Sequence, residues 1–479
     1  MSISDLDAPA SLPGAGVSAP GRVLACIHRF GQSIIGGAER LAWRYCIELA
    51  HRGHQVEVVT TCAGDDYMTW ENALPAGVEA VPLDPPAPGS LTIRRFPVEH
   101  PRHVASFNRL SNRAFRRPDD RALGWRWMLA QGPDAPALAP YVARHRQRFD
   151  AAIVFNYLYK TTYDVLPLVA DRAVLMPFAH DEPPLRLGLF RPVFSGAAVL
   201  GTSSAAEERL IIQRFHPYLP PRVQRIGSGI DLPPSPPDLD RARQVMEGFL
   251  DTAPAPVASL AALGHATARQ PEVRQRLLAG DFCLLLGRQS PSKNTHLATH
   301  LWQRLQADGF SATDRAAERL PLLLVVGPLE RGFQPEWPLT FGAVPEEVAG
   351  ALRQLALASL HVSTLESLNV EALHAQATGT PLLVADDCLT TMELAEPGLT
   401  ALSLGRLHEG SLEPAPNLAE TLARLRDPVF RAVAARHARH RAEVAHAWPA
   451  VLGRLEMAVA TARAAGEAYQ RRRSMYLQA

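Results

Sequence analysis

Four short stretches carry residues whose types and spacing suit phosphate and sugar chemistry. In GRQSPSKN (287–294), Arg288 and Lys293 flank a turn. A guanidinium offers a two-pronged fork and an ammonium a compact point charge, so the two together can grip a diphosphate. In STLESLNVEALHAQATGTP (363–381), Glu366 stands ahead of a helix that Asn369 and Val370 open and that runs to Gly379. First-turn amides attract a phosphate, and a carboxylate accepts hydrogen bonds from sugar hydroxyls. In GQSIIGGAER (31–40), Gly36 and Gly37 let the backbone approach an anion at a helix start. The spacing is not GxGxxG, which speaks against a dehydrogenase. In PFAHDEPPL (177–185), His180 stands beside Asp181 and Glu182, between prolines that bar a regular helix. A polar triplet capping a strand suits a cleft. Plainer alternatives stand beside these readings: a tight turn, a structural histidine, surface charge, and a Glu366 that merely caps a helix.

The elements that must position these groups are legible as alternating strands and helices. Residues 22–29 form an apolar run, 37–51 place Leu41, Tyr45 and Leu49 at helical spacing, and 56–61 form a second apolar run. Gly53 suits the positive φ that ends a helix. Strand, helix and strand of this kind make a parallel βαβ unit. Further strands are expected over 151–155, 173–177, 197–201 and 223–226, and a basic helix over 109–129. Residues 233–271 are rich in proline, alanine and charge and read as a partly helical insertion between domains. A second series follows, with strands over 282–286, 322–326, 339–341, 360–363 and 381–385. A helix over 345–356 carries Glu346 and Glu347 at its positive end. Residues 428–469 form an alanine- and arginine-rich helical tail. The pattern is α/β: two Rossmann-like domains whose parallel sheets face a central cleft, with ligands at the carboxyl ends of the strands.

Composition narrows the class. A chain of 479 residues exceeds one ordinary core. A net charge of +1 provides no global field for nucleic acid. The five cysteines are scattered, with no CxxC pair, as expected of reduced thiols in a cytoplasmic protein. Residues 1–20 lack the pattern of a signal peptide and read as a disordered leader. No run reaches the roughly 18 apolar residues that span a bilayer, so any membrane contact is expected to be peripheral. The 109–129 segment holds six arginines, Arg116 and Arg117 among them, beside Trp125 and Trp127. It reads either as an interfacial helix or as a solvated one. Residues 471–473 would add attraction to anionic lipid.

In joint order, these motifs resemble the family 4 retaining glycosyltransferases of the GT-B fold, over roughly residues 22–465. GGAERLAWRYCIELAHRGHQVEVVTT (36–61) resembles the family's opening, and IGSGID (226–231) its motif at the domain boundary. GRQSPSK, LLLVVG (322–327) and TFGAVPEEV (340–348) resemble its later elements. The resemblance implies an N-terminal acceptor domain over 21–232, an insertion over 233–280, a donor domain over 281–445, and a C-terminal helix with a basic tail over 446–479.

It also implies roles. Gly36 and Gly37 would approach the donor phosphate and acceptor, and His180 the transferred sugar. Arg288 and Lys293 would neutralise the diphosphate, Glu366 would touch donor hydroxyls, and Val344 would lie near the base. Gly287, Gly327, Ser367, Leu368, Asn369, Val370 and His374 complete the implied donor site. One position departs from the family, whose second glutamate falls on His374 when the register is counted back from Gly379. A shifted register would use Glu371 but puts Ser363 in the first position.

The implied activity is retaining transfer from a nucleoside-diphosphate sugar, a substrate rather than a cofactor, to a glycan or lipid-linked hydroxyl. The implied setting is bacterial surface polysaccharide or lipopolysaccharide synthesis. No DxD-type site stands at a suitable strand end, so no metal is expected, and no nucleic acid. Alternatives are a GT-B epimerase or phosphorylase, or a non-catalytic GT-B scaffold.

Overall fold

The computed structural model describes residues 19–478 apart from 35, 65, 67, 221, 235–236, 253–259, 308–318 and 331. The expected leader therefore lies almost wholly outside the described residues.

Eight strands build the first sheet: β1 (Arg22–Cys26), β2 (Gln55–Thr61), β3 (Gly77–Val81), β4 (Ser90–Phe96), β5 (Ala151–Phe155), β6 (Ala173–Met176), β7 (Val199–Thr202) and β8 (Val223–Arg225). Their order is β3-β4-β2-β1-β5-β6-β7-β8, and only the β3–β4 edge pair is antiparallel. Seven strands build the second: β9 (Phe282–Leu286), β10 (Leu322–Val326), β11 (Thr340–Phe341), β12 (Ala358–His361), β13 (Leu382–Ala385), β14 (Ala401–His408) and β15 (Ser411–Pro414). Their order is β11-β10-β9-β12-β13-β14-β15, antiparallel only at β14–β15. The α/β expectation of two Rossmann-like sheets holds.

The strands are continuously apolar because both faces of each sheet are covered. Alternate residues of β1 enter different layers: Leu24 and Cys26 pack in one cluster, Val23 and Ala25 in the other. The C-terminal helix Trp448–Gln478 returns to the first sheet, where it packs against β5 and β6 and buries Val451, Leu455, Ala458 and Ala462 in the same cluster as Val23 and Ala25 of β1. Within the segment read as an insertion, helix Leu239–Asp251 buries Ala242, Met246 and Leu250 in the cluster that holds β9 and β10.

Two readings change. The basic helix over 109–129 is two helices, Val104–Phe115 and Arg121–Gln131. Pro118 interrupts them, and Asp120 caps the second by accepting from the Leu123 N–H at 2.9 Å. Trp127 is not an interfacial anchor. It is buried, and its Nε1–H donates to Ser111 Oγ at 2.9 Å, which clamps the two helices together. The β3–β4 edge and the β14–β15 hairpin were not anticipated, although Leu91, Ile93 and Arg95 alternate inward along β4.

Gly327, expected at the donor, has a packing role. Its φ is +139°, and a Cβ there would fall 1.8 Å from the Gly287 carbonyl oxygen. That close approach lets the ends of β9 and β10 lie side by side. Gly327→Ala is expected to cost about 1–3 kcal/mol, read as a lowered melting temperature in calorimetry. Wild-type melting would refute this role.

Candidate active site

The carboxyl ends of the two sheets meet around a cavity of about 500 Å³. Ten of the expected residues line it: Gly37, His180, Gly287, Arg288, Lys293, Glu366, Ser367, Leu368, Asn369 and Val370. Gly36, Gly327, Val344 and His374 stand outside its lining, as do Arg116, Arg117, Trp125 and Trp127.

On the second lobe, Ser290 Oγ accepts from the Lys293 N–H at 3.3 Å and closes the turn Pro291–Lys293. Asn294 then takes a left-handed conformation (φ 56°). Its side-chain amide donates to the Val362 carbonyl at 2.9 Å, which pins this loop to the end of β12. The Lys293 ammonium thereby meets the Glu366 carboxylate in a direct ion pair. Glu366 is thus a partner of the cation and not the helix cap.

The cap of helix Val370–Thr378 is Asn369, whose Oδ1 accepts from the Ala372 N–H at 3.1 Å. Its Nδ2 lies 3.0 Å from both His361 Nδ1 and Thr391 Oγ1. Burial holds the His361 imidazole down to about 3, so the neutral ring accepts. With the Asn369 side chain so engaged, the helix end offers a ligand its backbone dipole and amides.

The glutamate departure resolves into two distinct environments. Glu371 lines the cavity, but Arg353 holds both its oxygens, at 2.7 and 3.0 Å, and also binds Glu346 at 2.6 Å. Burial pushes the Glu371 carboxyl up, and Arg353 opposes this. One turn later, His374 is held down to about 4 by burial and by the Arg353 charge, so it is neutral at pH 7. Neither register places an unengaged carboxylate on the cavity wall.

On the first lobe, Gly36 starts helix Gly37–His51 with extended backbone, and a Cβ there would lie 2.1 Å from Glu39 Oε2. Glu39 is buried between His28 Nε2, at 3.1 Å, and Arg29. Burial pushes its carboxyl up, but the His28 hydrogen bond and the Arg29 charge prevail and hold it at about 2. Gly36 is therefore glycine to admit Glu39. Gly37, with nothing within 4 Å of an added Cβ, faces the cavity.

His180 is flanked by two carboxylates with different duties. Asp181 turns to Arg186 at 3.2 Å. Glu182 Oε2 lies 3.4 Å from His180 Nε2, and its Oε1 accepts from the buried Tyr157 hydroxyl at 2.7 Å. A third carboxylate, Glu207, accepts from the Ala179 and Ser203 N–H groups, each at 2.6 Å. It ties the His180 loop to the end of β7.

Sequence reasoning missed Asn156, Phe178 and Ser203 on the cavity wall. The first two have φ of 66° and 52°, strained for residues other than glycine. Both follow shortly on expected strand ends, and that placement is the signal that would have found them.

Glu207 generates a pH prediction. Burial pushes its carboxyl up to about 8, against the N–H groups of Ser203 and Ala179 that pull it down. The unfolded chain releases this proton near the ordinary carboxylate value. Between there and about 8 the folded state holds one more proton, so stability falls as pH rises. The melting temperature is expected to drop between pH 5 and 8, and less so in Glu207→Gln. Parallel profiles for the two proteins would refute this.

No protein-family model matches the chain, and no curated protein matches it in sequence. Solved structures do. Sucrose-phosphate synthase from Thermosynechococcus elongatus is 14% identical over 96% of this chain and 100% of its own, with a TM-score of 0.54. Anabaena HepE in complex with UDP and glucose is 16% identical over 92% and 100%, with a TM-score of 0.54. The UDP-forming trehalose-phosphate synthase of Burkholderia xenovorans, in complex with glucose-6-phosphate, is 13% identical over 91% and 99%, with a TM-score of 0.51. With its two Rossmann-like lobes closed on a shared cleft, this chain has the GT-B fold.

Proposed function

We propose that this protein is a retaining glycosyltransferase that moves a sugar from a nucleoside-diphosphate sugar to a hydroxyl of a glycan or lipid-linked acceptor. The observation that carries this reading is the wall formed by Arg288, Lys293 and the first turn of helix Val370–Thr378, all on one cavity. A departing diphosphate accumulates negative charge, and fixed cations and amides stabilise that charge without reorganising. Glu366 stands close enough to Lys293 to hold hydroxyls of the sugar that the phosphate leaves. His180 faces the same space from the other lobe. Retention follows if the leaving phosphate oxygen takes the proton of the incoming hydroxyl on the face it departs from. HepE, solved with UDP and with UDP-glucose, makes a UDP-hexose the first donor to try.

A non-catalytic scaffold is the second reading. It is favoured by the engagement of Glu371 with Arg353 and by the neutral ring of His374. It expects donor binding without release of UDP.

A peripheral membrane site is part of the first reading. Arg109, Arg113, Arg116, Arg117, Arg121 and Arg126 are all exposed, and no ion pair joins any of them to a described carboxylate. Trp125 and Leu129 are 42% and 45% exposed one turn apart. Uncompensated cations beside apolar anchors suit an anionic lipid surface.

Three outcomes test these readings. UDP is expected to raise the melting temperature, since a ligand of the native state stabilises it. Lys293→Ala is expected to cut UDP release from UDP-glucose by about 10²-fold, and unchanged turnover would reject the phosphate role. Liposomes containing anionic lipid are expected to carry the protein upward in flotation, with loss in a variant combining Arg116→Glu, Arg117→Glu and Trp125→Ala. Absence of co-flotation would end the membrane reading.

A further inference from the structure

His180 reaches the cavity from a loop that no regular element rigidifies. Prolines bound it, and Phe178 within it is held at a positive φ. An imidazole on such a loop has two soft torsions, and its ring is useful to a ligand only if something outside the cavity sets its orientation. Two carboxylates contact this loop from behind. Glu207 grips its backbone at Ala179, 2.6 Å away. Among the described residues, the ring's one charged partner is Glu182, whose Oε2 lies 3.4 Å from Nε2.

Glu182 is in turn fixed at both ends. Its backbone N–H donates to the His180 carbonyl at 2.8 Å, which closes a tight turn. Its second oxygen accepts from Tyr157, a fully buried side chain just beyond β5. Burial first, then the Glu182 charge, push the Tyr157 hydroxyl well up, so it remains a donor. Asp181, the other acid of the triplet, is drawn off to Arg186. Tyrosine, glutamate and histidine thus form a chain from the core of the first sheet to the cavity, and neither Tyr157 nor Glu182 lines that cavity.

We propose that Glu182, anchored by Tyr157, is the positioning residue for His180. It accepts the Nε2–H and so leaves Nδ1 as the acceptor that the ring can present to a ligand hydroxyl. At 3.4 Å the pair is an ion-pair contact and not yet a hydrogen bond, and the proposal requires that it close to hydrogen-bond distance when a ligand occupies the cavity. This inference rests on the nucleotide-sugar reading of the cavity.

A double-mutant cycle on UDP release from UDP-glucose tests it, with UDP affinity of every variant measured by calorimetry. Glu182→Gln is expected to lower kcat about tenfold, with KM within about twofold. The same substitution made on top of His180→Ala is expected to change kcat less than about twofold, because a group that acts through the ring has nothing left to act on. A merely structural Glu182 would cost the same in both backgrounds, and that result would overturn the proposal, as would full activity of Glu182→Gln. Should Glu182→Gln lose UDP binding, Tyr157→Phe replaces it: removing the anchoring hydroxyl is expected to lower kcat about threefold only where His180 is present. If the unaltered protein fails to bind UDP, the nucleotide reading falls. If UDP binds normally and the cycle is additive, only the role of Glu182 falls.

Discussion

Two parallel sheets can share one ligand only if their carboxyl ends are held face to face, and the rest of this structure depends on the contacts that hold them. One is a carboxylate crossing the cleft: both oxygens of Glu393, on the second lobe, accept from the N–H groups of Ala205 and Ala206, at 2.7 and 2.8 Å. They neutralise the positive end of helix Ala205–Phe215 on the first lobe. The other is the chain itself. The Ile230 N–H donates to the His446 carbonyl at 2.9 Å, where the two crossings between the lobes run side by side. Helix Trp448–Gln478 then buries its apolar face under the first sheet. The last element of the chain is therefore part of the first lobe's core.

Within that frame the cavity is defined by how its charges are partnered. Lys293 meets Glu366, and Arg353 meets Glu371 and Glu346. These pairs differ in accessibility. Lys293 is 32% exposed, so a phosphate can compete for it, whereas Arg353 is 6% exposed and its pairing to Glu371 is protected from water. Removing one member of the buried set would leave an uncompensated charge, whereas loosening the exposed pair costs little. Two carboxylates five positions apart thus differ: Glu366 pairs with a partly exposed cation, whereas Glu371 is locked to a buried one.

The glycines show a similar division. Gly37 and Gly287 border the cavity. Gly36 and Gly327 lie just behind it and are glycine for packing, against Glu39 and the Gly287 carbonyl respectively. Residue type alone does not separate the two groups, because the backbone freedom that admits a phosphate also admits a neighbouring side chain.

Sequence alone determined the α/β class, the two-lobed plan and most of one cavity wall, because those follow from local causes. Continuous apolar runs specify doubly covered strands, glycine and asparagine mark helix ends, and the segment after a parallel strand falls at the ligand edge. Arg288, Lys293 and Glu366 were found this way. What only the tertiary structure decided is which side chains meet across long separations. Trp127 turns inward because Ser111 sits on the facing helix, 2.9 Å from its indole nitrogen. Glu371 is unavailable because Arg353 lies eighteen positions earlier on a helix packed against its own. Asp181 and Glu182, adjacent in the chain, part company because Arg186 draws one while Tyr157, far off in the core, anchors the other. Pairings of this kind carry no periodicity that a sequence displays, since they are set by where separate elements come to rest.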